Sequence, residues 1–111
     1  MKEFAFTVDL KNNPALIEQY KRHHQQVWPE VIEGLKKVGV VDMQIFLLGN
    51  RLFMHVKAED GFDPGISFKK YSTLHPKIEE WEHLMDSFQE RIVASSEGEK
   101  WVMMEKIFQL E

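Results

Sequence analysis

The sequence predicts an α+β fold with the element order β-α-β-β-α-β. Alternating apolar residues indicate strands near the start, in the middle and at the end of the chain. Between them, apolar residues recur at spacings of three and four, which is typical of helices with one buried face. No linker or low-complexity segment interrupts the 111 residues, so we expect one domain over positions 1–111.

The first strand and the first helical region follow directly from this patterning. Phe4, Phe6, Val8 and Leu10 alternate with polar or small residues and predict a strand with one buried face. Asn13 and Pro14 then suit the cap and the first position of a helix. Its apolar stripe comprises Leu16, Tyr20, His24, Val27, Val31, Leu35 and Val38.

Proline and glycine set the limits of this helical region. Pro29 lacks an N–H group and disfavours helical geometry at Trp28, so a kink or break is expected there. Gly39 is expected to end the second piece.

The remaining elements complete the order. Residues 40–48 and 52–58 predict a hairpin around Gly49-Asn50-Arg51. Asp63-Pro64 predicts a short helix to about Tyr71, and His75-Pro76 predicts another helix. We expect a loop over 95–100 and a closing strand over 101–110.

This element order is the ferredoxin-like arrangement, and the second face of its sheet is expected to be apolar. Helices cover one face of such a sheet, yet Phe46, Leu48, Phe53, Trp101 and Met103 add apolar residues beyond those of one face. A second sheet should therefore cover this face, which predicts a homodimer that forms an α/β barrel.

Composition limits the classes of function. The net charge of −4 gives no basic surface for nucleic acid, and no apolar run approaches the length of a membrane span. The absence of cysteine excludes disulfides, thiolate metal sites and cysteine nucleophiles. The N-terminal residues do not resemble a signal peptide, so a cytoplasmic location is expected.

His24 is the candidate catalytic residue. It lies on the apolar stripe between Tyr20 and Trp28, which suggests a titratable ring in an aromatic pocket. The alternative is a core histidine bonded to the backbone. His23 is turned about 100° from His24 and is expected in solvent. Because adjacent helical positions do not share a face, the pair predicts no metal site.

Trp81 has two possible roles as well. It lies on the apolar side of its helix, where core packing is the simpler interpretation. An indole ring is also suited to stack on the C–H face of a sugar, and its N–H can bond a hydroxyl. From the residues alone, the sequence predicts proton-transfer chemistry on a small neutral ligand.

The run Tyr20-x-x-x-His24-x-x-x-Trp28-Pro29-Glu30 resembles the signature of the L-rhamnose mutarotase family. Further similarities follow in order along the chain, at Gly39, in the second and third strands, at Trp81 and Met85, and at positions 105–110. This resemblance implies a dimeric enzyme, an isomerase that interconverts the α and β anomers of a 6-deoxy-hexose without cofactor or metal. It implies that His24 is the catalytic acid and that Tyr20 and Trp81 bind the sugar.

The chain departs from the family pattern on the second strand. The family usually has a second substrate-contacting tyrosine where this chain has Met43, and an asparagine is common where it has Asp42. We therefore count Met43, Asp42 and Trp28 among the expected substrate-binding residues, with L-fucose as a substitute for L-rhamnose. Two alternatives stay open: a sugar-binding or regulatory dimer without catalysis, and a dimeric ferredoxin-like monooxygenase or haem-degrading protein.

Overall fold

The fold is built on an antiparallel sheet that carries all of its helices on one face. The computed structural model describes residues 1–92 and 100–110. The elements are β1 (Lys2–Leu10), α1 (Pro14–His23), α2 (Pro29–Lys37), β2 (Val40–Leu48), β3 (Arg51–Ala58), α3 (Pro64–Tyr71), α4 (Pro76–Asp86), β4 (Gln89–Glu90) and β5 (Val102–Met103). The ferredoxin-like α+β prediction is confirmed, with two helices in each helical region. None of these helices has the length and apolar character needed to cross a bilayer.

The sheet has the order β2-β3-β1-β4, and β5 also pairs with β1. β1 is central and pairs antiparallel with β3 along almost its whole length, with Phe6 opposite Met54. Across the part of the chain that is described, the sheet is open, with β2 at one edge. A closed barrel would therefore need a second sheet.

Strand alternation places the core between the sheet and the helices. Even-numbered side chains of β1 and β3 face the helices, and Val8 and Val56 are fully buried there. The helices contribute buried side chains that pack against these strands, namely Val31, Ile78, Trp81 and Met85. Full burial of an aliphatic or aromatic side chain of this kind is worth roughly 1.5–3 kcal/mol, so the packing of helices on this face stabilises the fold.

Each of the four prolines begins a helix. Pro14, Pro29, Pro64 and Pro76 occupy the first positions of α1 to α4. Proline suits that position because its ring fixes a helical φ and the missing N–H would have no partner within the helix. The Asn13 carboxamide oxygen accepts bonds from the N–H groups of Ala15 and Leu16, which confirms the predicted cap.

The predicted interruption between the first two helices is a complete break. α1 ends at His23, and Trp28 has an extended backbone (φ −60°, ψ 138°) immediately before Pro29. The expectation of one apolar stripe continuing through Val27 is therefore wrong. Pro29 begins the second helix five residues after His24, and it does not end the first.

The closing strand is shorter than predicted. Only Val102 and Met103 are strand, and the N–H of Met104 donates to the carbonyl oxygen of Ala5 at 2.7 Å. Beyond Met104 the described residues form no strand, and Ile107 is 90% exposed. β1 continues beyond Ala5 to Lys2, but the segment after Met104 does not pair with it, so the alternating pattern of 101–110 does not become a full strand. Of the predicted loop, residues 95–99 lie outside the described residues.

The face of the sheet away from the helices is apolar at one end. Four apolar side chains at this end are partly or largely exposed, and we call them the outer patch. They are Phe46 (54% exposed), Phe53 (37%), Leu48 (85%) and Met104 (46%). The aromatic rings of Phe46 and Phe53 lie opposite each other across β2 and β3, with centroids 6.0 Å apart.

Two residues expected on this face lie on the other side. Met103 lines the cavity between the sheet and the helices, and Trp101 packs against the core there. The register explains the difference, since Met103 lies opposite the inward-facing Phe6.

Candidate functional site

A cavity of about 1110 Å³ lies between the sheet and the helices. Its wall is mainly apolar, with a few polar side chains that converge on it from separate elements. Concave sites of this composition are typical of small-molecule binding. The polar side chains that line the cavity include Tyr20, His24, Asp42, Glu82, Gln89 and Lys100.

His24 is held at the end of α1 by a bond to the backbone. Its Nδ1 lies 2.8 Å from the carbonyl oxygen of Tyr20, one turn earlier. A carbonyl oxygen can only accept, so Nδ1 carries the hydrogen that makes this bond. In the neutral ring Nε2 then has a free lone pair, and the backbone bond fixes both the tautomer and the orientation of the ring.

Burial also favours the neutral form of His24. Desolvation is the main effect and lowers the pKa of His24 below its usual 6.5, and the nearby His23 acts in the same direction. The bond to the Tyr20 carbonyl opposes this shift but does not cancel it. At neutral pH the ring is therefore uncharged, and its Nε2 can accept a proton.

Tyr20 forms the wall beside His24. Its side chain is 4% exposed, and its ring centroid lies 4.5 Å from that of His24. The Gln89 amide Nε2 donates to the Tyr20 hydroxyl oxygen at 3.2 Å. Burial raises the pKa of Tyr20 to about 12, so the hydroxyl stays protonated and can donate a hydrogen bond.

The two tryptophans named from the sequence have different positions. Trp81 lines the cavity, and its ring centroid lies 5.6 Å from that of His24. Trp28 packs on Trp81 at 5.2 Å and has the Lys77 ammonium 5.5 Å above its ring. It is not part of the cavity wall, because the chain leaves helical geometry before it. Trp28 therefore supports the wall from behind.

Met43 and Asp42 both line the cavity. In a regular strand, neighbouring side chains point to opposite faces. Here the register with β3 shifts between Val40 and Asp42, which marks a β-bulge. Beyond this shift the pairing is regular, so Met43, opposite the buried Val56, faces the core, and the exposed Asp42, opposite Lys57, borders the cavity from the edge strand.

His23 is not the solvated side chain that the sequence suggested. It is partly buried, and its ring lies 5.5 Å from Phe88 and 6.3 Å from Trp81. The prediction considered only the neighbours on α1. At the end of that helix, Trp81 of α4 and Phe88, two residues beyond α4, cover His23 from the other side.

The sequence interpretation missed other polar residues of the cavity. Gln89 is buried on β4, whose two residues are too few to show any periodicity. Glu82 accepts a bond from the Tyr71 hydroxyl at 3.0 Å and pairs with Lys100 at 3.6 Å. These contacts join residues distant in sequence, so spacing carries no signal for them. Among the described residues no group of three or more histidines or carboxylates could hold a metal ion.

Comparison with known proteins finds one family along nearly the whole chain. The sequence model of the L-rhamnose mutarotase family matches residues 3–110. An L-fucose mutarotase of Xanthomonas campestris is 37% identical over 112 residues, which cover 99% of this chain and 89% of that protein. A UPF0734 protein of Dictyostelium discoideum is 45% identical over 99% of this chain and 90% of its own length.

The fold is also that of a solved relative. The crystal structure of an L-rhamnose mutarotase from Formosa agariphila superposes with a TM-score of 0.71, at 23% identity, and covers 100% of both chains. Since the family model spans nearly every residue that forms the sheet, the helices and the cavity wall, the chain belongs to the L-rhamnose mutarotase family.

Proposed function

We propose that this protein is a mutarotase that interconverts the α and β anomers of a 6-deoxy-L-hexose. One observation carries the proposal. His24 lines the cavity between Tyr20 and Trp81, with Nδ1 bonded to the backbone and with the lone pair of Nε2 available. A neutral, oriented imidazole in a largely apolar cavity suits a reaction that moves one proton.

The reaction requires one proton to leave and one to arrive. Opening of the pyranose moves the proton of the anomeric hydroxyl away, turns C1–O1 into a carbonyl and breaks the C1–O5 bond, whose electron pair goes to the ring oxygen. The ring oxygen then takes up a proton. Rotation about the C1–C2 bond and reversal of these steps give the other anomer. No atom changes oxidation state, so the chemistry calls for no redox cofactor.

We assign the first proton transfer to His24 as a base. Because its pKa is lowered, Nε2 is free at neutral pH and takes the proton of the anomeric hydroxyl. The imidazolium that forms then acts as the acid and protonates the ring oxygen. The family resemblance implies that His24 is an acid, and in this cycle His24 acts as the acid in the second step, when it protonates the ring oxygen. The protonated hydroxyl of Tyr20 can stabilise the charge that develops on a sugar oxygen.

We place L-fucose ahead of L-rhamnose as the substrate. Met43 lines the cavity where the family usually has a tyrosine, and a thioether cannot usefully replace a phenol as a hydrogen-bond donor. The apolar wall suits the methyl group shared by both sugars. The resemblance to an L-fucose mutarotase over nearly the whole chain supports the same choice. Asp42, which also lines the cavity, is a candidate acceptor for a sugar hydroxyl.

Met43 also motivates a second candidate function, a dimer that binds sugar without catalysis. Loss of the tyrosine could leave a cavity that holds a sugar in an unproductive orientation. His24 argues for catalysis, since its tautomer and its position on the wall are those of a working base.

We further propose that the protein is a homodimer in the cytoplasm, with the outer patch at its interface. The patch joins residues of β2 and β3 with Met104, just beyond β5, and leaves Phe46 and Leu48 largely in solvent. Isologous pairing would place each patch on its copy, which removes apolar surface from water. The exposed Phe108 and Leu110 lie in the segment beyond Met104 and offer further apolar surface to a second copy.

His24→Ala should abolish catalysed anomer exchange of L-fucose. Loss of the acid and base group removes an effect of about 10²- to 10⁴-fold, which leaves the uncatalysed rate. Saturation-transfer NMR measures the exchange, and His83→Ala is the control because His83 is exposed on α4. A His24→Ala protein that still accelerates exchange would show that His24 is not the catalytic group.

Catalysis should weaken in acid. The pKa of His24 lies below 6.5, so at neutral pH nearly all of the protein has the neutral imidazole that acts as the base. This form is lost only as the pH falls through the lowered pKa. We expect kcat/KM from exchange NMR to be flat near pH 7 and to fall with an acidic midpoint under 6.5. His24→Gln, whose side chain takes up no proton in this range, should show no catalysed rate at any of these pH values. A rate that rises on acidification through the same range would mean that the imidazolium is the starting form.

Met43→Tyr should shift the preference towards L-rhamnose. A new hydrogen bond contributes about 0.5–1.5 kcal/mol, so the ratio of kcat/KM values for L-rhamnose over L-fucose should rise about threefold to tenfold. Met43→Leu, which keeps the apolar character, should leave the ratio unchanged. An equal ratio in wild type and Met43→Tyr would show that this position does not select the sugar.

Phe46→Asp should convert the dimer to monomers. Burying a charge at the centre of an apolar interface costs about 2 kcal/mol or more, which raises the dissociation constant at least about 30-fold. Sedimentation velocity measures the association. Ile66→Asp, a matched change at an apolar residue on α3 that is 72% exposed, should stay dimeric. A wild-type protein that sediments as a monomer would refute the proposed interface.

A further inference from the structure

Gln89 is an unusual residue for its place in the fold. It lies on β4 opposite Leu10, on the face of the sheet that carries the core, and it is only 9% exposed. Among the described residues it is the one polar side chain that is buried. Burying an amide is unfavourable unless both of its ends are hydrogen-bonded, and an unpaired end costs about 1–3 kcal/mol.

Only one end of this amide has a partner. Nε2 donates to the Tyr20 hydroxyl oxygen at 3.2 Å. Oε1 is buried and has no hydrogen-bond partner among the described residues. A glutamine kept for stability alone would be better replaced by an apolar side chain. The side chain therefore has a use that offsets this cost, and its single bond points to Tyr20.

The bond decides where the Tyr20 hydrogen can go. Because the hydroxyl oxygen accepts from Gln89, its own O–H is directed away from that amide. The structure gives this hydroxyl no other protein partner among the described residues. Both Tyr20 and Gln89 line the cavity, so the group available to accept the hydrogen is a ligand in that cavity.

We propose that Gln89 is a positioning residue that turns the Tyr20 hydroxyl so that it donates to an oxygen of the bound sugar. The inference rests on the proposed function and adds a determinant of how the sugar is held. A sugar that has no oxygen within reach of the Tyr20 hydroxyl would gain no hydrogen bond from this orientation of Tyr20. Gln89 acts through Tyr20 and is not itself assigned to the proton transfer.

A double-mutant cycle tests this dependence. Gln89→Met keeps the length of the side chain and removes its donor, and Tyr20→Phe removes the hydroxyl. Each change should lower kcat/KM for L-fucose about tenfold, which corresponds to one hydrogen bond to the substrate of about 1.4 kcal/mol. Gln89→Met should cost nothing further in the Tyr20→Phe background, because its effect passes through the missing hydroxyl.

The structural alternative gives a different result. If Gln89 only packs, the two changes should add, or Gln89→Met should leave kcat/KM unchanged while urea unfolding shifts. Either outcome overturns the proposal.

Gln89→Glu provides a second variant if Gln89→Met does not fold. An ionised carboxylate only accepts and would draw the Tyr20 hydrogen away from the sugar. The deficit relative to wild type at the same pH should therefore grow as the pH rises. A ratio that does not change with pH counts against the proposal.

The same cycle separates this inference from the proposed function. If the wild-type protein binds L-fucose in calorimetry but does not accelerate anomer exchange, the mutarotase proposal fails. The double-mutant cycle is then measured with the Kd for L-fucose in place of kcat/KM. Non-additive Kd values would support Gln89 as a positioning residue, and additive values would overturn it. A wild-type protein that neither binds nor converts L-fucose overturns both.

Discussion

The hydrogen bond between His24 Nδ1 and the carbonyl oxygen of Tyr20 is the interaction on which the site depends. It forms in the last turn of α1, where the carbonyl oxygen of Tyr20 accepts both the backbone N–H of His24 at 3.3 Å and the ring Nδ1–H at 2.8 Å. The same bond fixes the tautomer, and burial keeps the ring neutral. The position of His24 at the end of α1 thus sets the orientation of its ring, and burial sets its protonation state.

The position of Pro29 explains why the second helix begins five residues after His24. The segment between His24 and Pro29 is too short for another helical turn that also satisfies the extended geometry of Trp28. Within it Val27 lines the cavity, and Trp28 packs on Trp81. Local geometry dictated by one proline therefore determines which of the two tryptophans can reach a ligand.

Much of the fold could be predicted from the sequence because its signals are local. Alternation in β1 and β3, the Asn13 cap and the prolines each depend on a few adjacent residues. The spacing of Tyr20 and His24 likewise places both on one helical face. The length of β5 could not be predicted, since strand pairing depends on how far β1 stays alongside.

Long-range contacts account for what the sequence did not indicate at the site. His23 is covered by Phe88, and the buried Gln89 amide meets Tyr20 across 69 positions of sequence. The shift in register between Val40 and Asp42 likewise depends on how β2 pairs with β3. None of these has a periodic pattern, so they follow from the packed structure alone.

A crystal structure of the protein with L-fucose tests the central claim most directly. The account predicts that the sugar lies in the cavity beside Trp81, with its anomeric or ring oxygen within about 2.6–3.2 Å of His24 Nε2. It also predicts that the Nδ1 bond to Tyr20 is retained. A sugar bound elsewhere, or one whose anomeric carbon faces away from His24, would contradict the assignment of His24 as the group that moves the proton.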